Sequence, residues 1–407
     1  MESARTRAEK VALGLGGLGL LLSFGAYVNI QFNAFLFQAA GLSPREIGSV
    51  AALGNLASLF SPMIAGWWTD RCGHPRMILS LYLLAGAAAL VALPALRGFS
   101  ELAPGYFLIQ LALSPISPLS TSLILSRTSA GNGGFLALRA MGTLGFFLVS
   151  IWLSSSLGRI GLPAAYRTMA FLLLCSLPVF LGLRRTPSEV RRPGQELRAA
   201  LAYLWDPRLR TIYIGCGLGF FCNALGVTVL GNYITGPLGG SPQDIARAWG
   251  VATGFEMVFF FLSIPFVRRF GLKTFVLAGL AGTSIRWALA AWAPSFPFFL
   301  AAQALHGLMV TGVFTGESLL LARILPADRL ASGTAAAALV NGGIMSVAGS
   351  GLSGWIWQAA GLRAACWVTS LVAALAALFF WKFGPDPASA SPSPAVGDGI
   401  RLPFPEV

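Results

Sequence analysis

Twelve long apolar stretches constrain the fold of this chain more than any other feature of its sequence. Each holds roughly 20 or more mostly apolar residues, which is the length that a helix needs to cross the hydrocarbon core of a bilayer. The stretches are continuous and do not alternate, so we predict helices, which satisfy their backbone polar groups within lipid. They lie at about 11–35, 46–68, 77–96, 102–125, 134–157, 164–183, 210–235, 245–267, 274–293, 296–322, 331–357 and 363–383, and are numbered here as spans 1 to 12.

Composition excludes the main alternatives to a membrane protein. Only 11% of the 407 residues are charged, whereas about 25% is typical of soluble domains. The five cysteines follow no zinc-binding spacing and do not suggest a disulfide framework. A nucleotide-binding loop of the Gly-Lys-Ser/Thr type is also missing from the sequence. We therefore expect no metal, no cofactor and no direct use of ATP.

The net charge of +13 is explained by where the basic residues lie. Most of the 28 Lys and Arg residues fall near the termini, in the central loop, and in the other connections that follow even-numbered spans. The opposite connections carry Arg45, Arg97, Arg159, Arg167, Arg247 and Arg363. Basic residues favour the cytoplasmic side, so we predict that both termini are cytoplasmic and that the protein lies in the cell (inner) membrane. This distribution accounts for the charge without a nucleic-acid partner.

The central loop divides the chain into two halves. It is basic and rich in proline, which is typical of a linker. We predict a six-helix N-terminal half at 1–183, a cytoplasmic linker at 184–209, a six-helix C-terminal half at 210–383, and a disordered cytoplasmic tail at 384–407.

A sequence repeat relates the two halves. GLSPREIG at 41–48 reappears as GGSPQDIA at 239–246, an offset of 198 residues. Serine can cap a helix, proline fits its first turn, and the acid that follows suits the positive end of the helix dipole. Both copies therefore predict the start of the second span of a half. Two such units can move against each other around a site at their interface.

The segment at 66–76, GWWTDRCGHPR, resembles the loop between the second and third helices of the major facilitator superfamily. The matching residues are Gly66, Asp70, Arg71, Gly73 and Arg76, while His74 and Pro75 depart from the family pattern. The resemblance implies an all-α membrane protein with twelve transmembrane helices in two pseudo-symmetric six-helix halves, the major facilitator fold. It also implies that the segment gates the cytoplasmic side; the alternative is a solvated turn that only ends a helix.

A narrower resemblance concerns the charged residues of the spans. Arg139, Glu256, Arg286 and His306 occupy positions similar to those of polar residues in the proton-coupled branch that contains lactose permease and the phenylpropionate permeases. Met309 replaces an acid of lactose permease, and span 4 carries only hydroxyls where that protein has another acid. The resemblance implies proton coupling, although not by the same relay.

Charged side chains in lipid are costly and usually mark a cavity or a partner. Among the 15 acids, Glu256 and Glu317 lie well inside apolar sequence. Glu256, Arg286 and His306 each lie roughly 15–18 Å from a span end, near the middle of the bilayer. We predict that Glu256, Arg286, His306 and Glu317 take part in proton coupling.

Each of these residues also has a purely structural interpretation. Glu256 and Arg286 can form a static salt bridge that holds two helices together. His306 can be a core histidine bonded to a carbonyl or to Gln303. Glu317 can be a carboxylate at the membrane interface, or it can pair with Arg139.

Other polar residues of the spans form the predicted substrate-binding set: Arg139, Tyr27, Asn29, Gln31, Asn223 and Asn341. In span 1 the pairs 27/31 and 29/33 fall on neighbouring helix faces. Side chains of this type line cavities or bond across helices in membrane bundles. For Arg139 the alternative is a basic residue at a cytoplasmic helix end.

These features predict a secondary transporter that works by alternating access, and not an enzyme. We expect proton-coupled uptake of a small organic solute, with an aromatic carboxylate slightly preferred over a sugar. The expected partners are this solute, protons and the lipid bilayer, and the expected assembly is a monomer. The alternatives are a proton-coupled exporter or antiporter, and a receptor-like membrane protein that does not transport.

Overall fold

A computed structural model of the chain describes residues 2–125, 132–183 and 203–385, and all regular elements in these ranges are helical. Within them, the side chains of residues 2–10, 12, 125, 132–139, 327, 328 and 331 lie outside the description. Most of the predicted linker and nearly all of the predicted tail also lie outside the described residues.

The described helices confirm the twelve predicted spans. Ten helices are apolar and long enough to cross a membrane. Two of them are double: Asn132–Gly182 contains spans 5 and 6, and Pro242–Trp292 contains spans 8 and 9. Each double helix is interrupted by a glycine with non-helical backbone angles, Gly161 or Gly271. The chain is therefore a multi-pass, all-α membrane protein.

The other helices have the following bounds. In the N-terminal half they are Glu2–Ala26, Asn33–Ala39, Pro44–Cys72, Pro75–Ala92, Gly98–Leu113 and Ile116–Leu125. In the C-terminal half they are Pro207–Thr235, Phe296–Ala302, His306–Met309, Gly316–Ile324, Ala327–Ala338, Ser346–Ala360 and Leu362–Phe383.

Segments that depart from α-helical geometry interrupt several spans, and three of them bear on the site. A 3-10 helix, Tyr27–Gln31, interrupts span 1. A π-helix, Val310–Thr315, lies in span 10, and a second π-helix, Leu339–Met345, lies in span 11. Such segments change the number of residues per turn, so they rotate the side chains that follow relative to a regular α-helix.

Backbone geometry shows the repeat at three places. Ser43 with Glu46, and Ser241 with Asp244, form capping boxes, which confirms the two predicted helix starts. Glycines with positive φ recur in matching pairs: Gly41 with Gly239, Gly73 with Gly271, and Gly161 with Gly361. The last pair begins GLPAA at 161–165 and GLRAA at 361–365, a similarity that the sequence interpretation missed.

The two halves meet along two pairs of spans. Span 2 packs against span 11, and the helix of spans 5 and 6 packs against the helix of spans 8 and 9. Gly48 and Gly354 bring spans 2 and 11 into backbone contact, since a Cβ on Gly354 would lie 3.0 Å from the Gly48 Cα. Near the same predicted external end, Asn232 Nδ2 donates to Gln38 Oε1 at 2.6 Å. These contacts leave space between the halves deeper in the bundle.

Packing within the N-terminal half depends on Gly145, where spans 1 and 5 cross. A Cβ at this position would overlap the backbone carbonyl of Leu21. We expect Gly145→Ala to lower the melting temperature of the purified protein, because overpacking that must move backbone costs about 1–3 kcal/mol. Gly14→Ala is the control, since a Cβ there meets nothing within 4 Å. Equal melting temperatures for the two variants would contradict this prediction.

Candidate functional site

A cavity of about 1120 Å³ lies between the two halves. It is lined by aromatic side chains and by a larger number of small polar ones. The aromatic lining residues are Phe24, Phe37, Tyr106, Phe146, Trp249 and Phe314. The polar ones are Asn33, Asn55, Gln110, Ser117, Thr121, Ser122, Thr143, Asn223, Thr228, Thr253, Glu256, His306, Ser346 and Ser350. Small-molecule sites combine apolar walls with polar groups that fix the orientation of the ligand, and this cavity has both.

Glu256 supplies the one carboxylate among the described lining residues. Its side chain is largely buried, and Thr143 Oγ1 of the other half lies 3.5 Å from its Oε1. Gly307 allows span 10 to approach closely here, because a Cβ on this glycine would lie 2.8 Å from the Glu256 Cα. The carboxylate of span 8 is therefore held at the interface of the halves. Gly307, which follows His306 in the chain, lies against the Glu256 backbone.

Arg286 lies behind the cavity wall and is almost fully buried, with 1% of its surface exposed. Its Nη2 and Nε donate to Gln303 Oε1 at 2.6 and 3.2 Å, and its Nη1 lies 3.0 Å from His306 Nδ1. The guanidinium carbon also lies 4.7 Å from the ring centroid of Trp287. Among the described side chains, no ion pair joins Arg286 to Glu256. The arginine thus supports span 10, and the alternative of a salt bridge to span 8 is not what the structure shows.

The contact with Arg286 defines the hydrogen-bonding state of His306. A guanidinium has only donors, so His306 Nδ1 must accept. The imidazole is then neutral, and its remaining proton is on Nε2. Because His306 lines the cavity, it can act there as a hydrogen-bond donor. The structural alternative for His306 was a bond to a carbonyl or to Gln303; in the structure Arg286 bonds both His306 and Gln303.

Glu317 and Asn341 meet away from the cavity. Asn341 Nδ2 donates to Glu317 Oε2 at 2.6 Å, and both side chains are buried. Neither residue lines the described cavity. Asn341, which we predicted to contact substrate, lies in the π-helix Leu339–Met345 and bonds the carboxyl of the neighbouring span.

Three predicted substrate residues of span 1 also lie behind the cavity wall. The Tyr27 hydroxyl donates to the Leu113 carbonyl, and Gln31 Nε2 donates to Ser150 Oγ at 2.6 Å. The backbone carbonyl of Asn29 accepts from the Tyr166 hydroxyl at 3.4 Å, and the Asn29 side chain is buried. These residues tie span 1 to spans 4, 5 and 6, which is the helix-bonding role that the sequence left open.

The 3-10 helix is the physical reason for this placement. The cavity-lining residues of span 1 are Leu20, Phe24, Ile30, Asn33, Ala34 and Phe37. In a regular α-helix, the face that carries Phe24 would continue through Tyr27 and Gln31. The tighter 3-10 turns at Tyr27–Gln31 rotate the helix, so Ile30 and Asn33 face the cavity in their place.

Some lining residues were not in the predicted set, whereas Asn223 was predicted and does line the cavity. Thr143 lies four residues after Arg139, so helical spacing could have identified it. The side chain of Arg139 lies outside the described part of the chain. Asn55 carried no such signal: its Nδ2 donates across the halves to Ser350 Oγ at 2.7 Å and to the Ser346 carbonyl at 3.2 Å.

The segment at 66–76 forms the end of one helix and the start of the next. Gly73, with φ of 65°, ends the helix Pro44–Cys72. Arg71 lies in the last turn of this helix, and its guanidinium carbon is 5.7 Å from the ring centroid of Trp67. Arg76 Nη1 donates to the carbonyls of Leu181 and Leu183 at 2.9 and 2.7 Å. Arg76 therefore ties span 3 to the end of span 6. The gating role of Gly66, Asp70 and their neighbours stays a prediction.

The sequence of this chain is similar to those of known transporters. A model of the MFS_1 like family matches residues 21–367. The putative nucleoside transporter YegT of Escherichia coli (strain K12) is 25% identical over 286 residues, which cover 67% of this chain and 66% of that protein. The maltose permease of Geobacillus stearothermophilus is 26% identical over 352 residues, which cover 86% of each chain.

Solved structures of transporters share the fold at low sequence identity. The crystal structure of the nucleoside transporter NupG has a TM-score of 0.77 at 16% identity, with 92% of this chain and 98% of that chain covered. A POT family transporter in complex with 5-aminolevulinic acid has a TM-score of 0.74 at 12% identity, with 92% and 96% covered. At this level of identity the likeness shows the fold alone. All of these relatives and structural neighbours are transporters, and none of them is an enzyme.

Proposed function

Because the chain belongs to the MFS_1 like family, whose match spans residues 21–367, we propose that it is a proton-coupled symporter that takes up a neutral, hydroxylated solute. A nucleoside is the preferred substrate, and a sugar is the second. The membership agrees with the resemblance of the 66–76 segment to the major facilitator superfamily. The narrower branch of lactose permease and the phenylpropionate permeases stays a prediction.

The chemistry of the cavity carries the choice of a neutral solute. Glu256 is a carboxylate, and no Lys or Arg is among the described lining residues. Glu256 and the amide and hydroxyl side chains of the lining can exchange hydrogen bonds with the hydroxyls of a neutral solute. This observation lowers the rank of the aromatic carboxylate that we favoured from sequence.

The aromatic lining favours a nucleoside over a sugar. Phe146 and Trp249 lie with ring centroids 5.9 Å apart in an edge-to-face arrangement on opposite halves. Aromatic side chains offer a flat apolar surface, on which a nucleobase can stack while its ribose hydroxyls bond to polar groups. Relatives named as a putative nucleoside transporter and a maltose permease support these two classes of substrate.

Buried acids support coupling to protons. His306 is held neutral by the donors of Arg286, which leaves Glu256 and Glu317 as the candidates that gain and lose a proton. The distribution of basic residues supports the inner membrane, with both termini cytoplasmic. Contacts between the halves at the predicted external end, such as Gln38 with Asn232, support a state that is closed to the outside.

Transport by the purified full-length protein in proteoliposomes tests this function. We expect counterflow of labelled uridine or adenosine, slower counterflow of maltose, and none of phenylpropionate. We also expect accumulation when the outside is acidic and its loss with a protonophore. Accumulation under the opposite pH gradient would indicate an antiporter or exporter. If no solute exchanges, the receptor-like alternative is favoured instead.

A further inference from the structure

Three buried polar side chains of the N-terminal half form a chain of hydrogen bonds that ends at the cavity. The Tyr166 hydroxyl of span 6 donates to Asn33 Oδ1 at 2.9 Å. Asn33 Nδ2 of span 1 donates in turn to the Tyr106 hydroxyl of span 4 at 2.9 Å. Asn33 and Tyr106 line the cavity, whereas Tyr166 is not among the described lining residues. The chain therefore connects the interior of this half to the substrate space.

The order of donors and acceptors along this chain defines what Tyr106 offers to a solute. The Asn29 carbonyl, a second acceptor near the Tyr166 hydroxyl, lies at 3.4 Å, so the shorter bond to Asn33 is favoured. With Oδ1 turned to Tyr166, the Asn33 amide presents only its Nδ2 donor to Tyr106. The Tyr106 hydroxyl accepts this bond and donates to no acceptor in the described part of the chain. Tyr106 thus presents an O–H donor to the cavity.

The ring of Tyr106 is held from two sides before any solute binds. Phe37 packs against it edge to face, with ring centroids 5.0 Å apart. On span 2, a Cβ at Gly54 would overlap Tyr106 Cε1, so this glycine provides the space that the ring occupies. A donor that is already ordered loses little conformational entropy when it binds a ligand. The position is therefore suited to recognition of one acceptor group.

Tyr106 lies at nearly the same depth in the bundle as Trp249 of the other half. Along Gly98–Leu113, which starts at the predicted external end, Tyr106 lies about 12 Å deep. Along Pro242–Trp292, Trp249 lies about 11 Å deep and Glu256 about 21 Å deep. A nucleoside whose base stacks on Trp249 can therefore direct its ribose towards Glu256 and the edge of its base towards Tyr106.

We propose that Tyr106 is a specificity-determining residue that donates a hydrogen bond to a carbonyl oxygen of the nucleobase, and that Tyr166 is its positioning residue. The inference deepens the proposed function and rests on it, because it assigns one part of the nucleoside to one part of the cavity. A base carbonyl only accepts hydrogen bonds, whereas ribose hydroxyls can donate to Glu256. The two ends of the solute are thus distinguished by opposite hydrogen-bonding roles.

Binding of uridine to the purified full-length protein, measured by calorimetry, tests this donor. The probes 2-thiouridine and 4-thiouridine each replace one base carbonyl by a thiocarbonyl, which is a weaker acceptor at the same position. We expect one of them to bind the wild type about 2- to 10-fold more weakly than uridine, the range of one neutral hydrogen bond. Tyr106→Phe should bind uridine more weakly by a similar factor and should no longer distinguish uridine from that analogue.

Tyr166→Phe provides a second test, away from the cavity lining. Without the Tyr166 hydroxyl, the Asn33 amide can turn and accept the proton of Tyr106. We therefore expect this variant to lose the preference for uridine over the thio analogue, although Tyr106 is intact. The double variant should bind uridine no more weakly than Tyr106→Phe, because both changes remove the same interaction. A Tyr166→Phe protein with a lower melting temperature and an unchanged preference would contradict the positioning role.

Tyr213→Phe is the matched control. The Tyr213 hydroxyl of span 7 also bonds across spans, to the Gly333 carbonyl at 3.1 Å, but Tyr213 is not among the described lining residues. This variant should keep wild-type binding of uridine and of both analogues. Wild-type binding by Tyr106→Phe, or equal binding of uridine and both analogues by the wild type, would overturn the inference. If the wild type binds no uridine, the proposed nucleoside function itself fails.

Discussion

Replacing Glu256 by glutamine is expected to lower nucleoside counterflow by about 10- to 100-fold, because a hydrogen bond to a charged acceptor contributes about 1.5–3 kcal/mol. The amide keeps the shape of the side chain but loses its charge and one acceptor oxygen. Initial rates of counterflow, measured over a range of solute concentrations in proteoliposomes, check this expectation. The rates should be lost mainly through weaker binding, since Glu256 lines the cavity.

A matched control is available at the predicted external surface. Glu101 accepts from the backbone N–H of Arg97 at an exposed helix start, far along the chain from the cavity residues of span 8. We expect Glu101→Gln to leave the rate of counterflow unchanged. A Glu256→Gln protein that exchanges nucleosides like the wild type would remove Glu256 from the substrate site.

Substitution of Gly354 by alanine is expected to open the predicted external end. The added Cβ would overlap the Pro44 carbonyl and would lie 3.0 Å from the Gly48 Cα and N. Overpacking costs about 1–3 kcal/mol, which changes the ratio of two conformational states by about 5- to 150-fold. Since the clash exists only where spans 2 and 11 close, the outward-open state should gain population, and net uptake should fall.

Labelling of a cavity cysteine measures this shift directly. Ala34 lines the cavity, so Ala34→Cys provides a reporter for a membrane-impermeant maleimide added from outside. Labelling should be faster when Gly354→Ala is also present. Gly351→Ala is the control on the same helix, because its Cβ would meet only the Ala52 Cβ at 3.7 Å. Similar labelling rates for both glycine variants would argue against a gate at Gly354.

Local sequence was sufficient to locate the spans, but it did not show which face of each span lines the cavity. Hydropathy located spans 5 and 6 separately, although their helix Asn132–Gly182 is interrupted only at Gly161. The same reading assigned Tyr27 and Gln31 to the substrate site, because it assumed regular α-helical turns. The 3-10 helix at Tyr27–Gln31 has no sequence signature that periodicity alone can detect.

The sequence by itself determined the membrane fold, the twelve spans, the repeat, and the identity of the charged residues that lie within apolar sequence. It could do so because the cost of placing a charge or an open backbone group in lipid is a property of each segment alone. Only the tertiary structure decided the partners: Arg286 bonds His306 and Gln303, and Asn341 bonds Glu317. Partners depend on helix rotation and on contacts between residues far apart in the chain, and the 3-10 and π segments set that rotation in spans 1, 10 and 11.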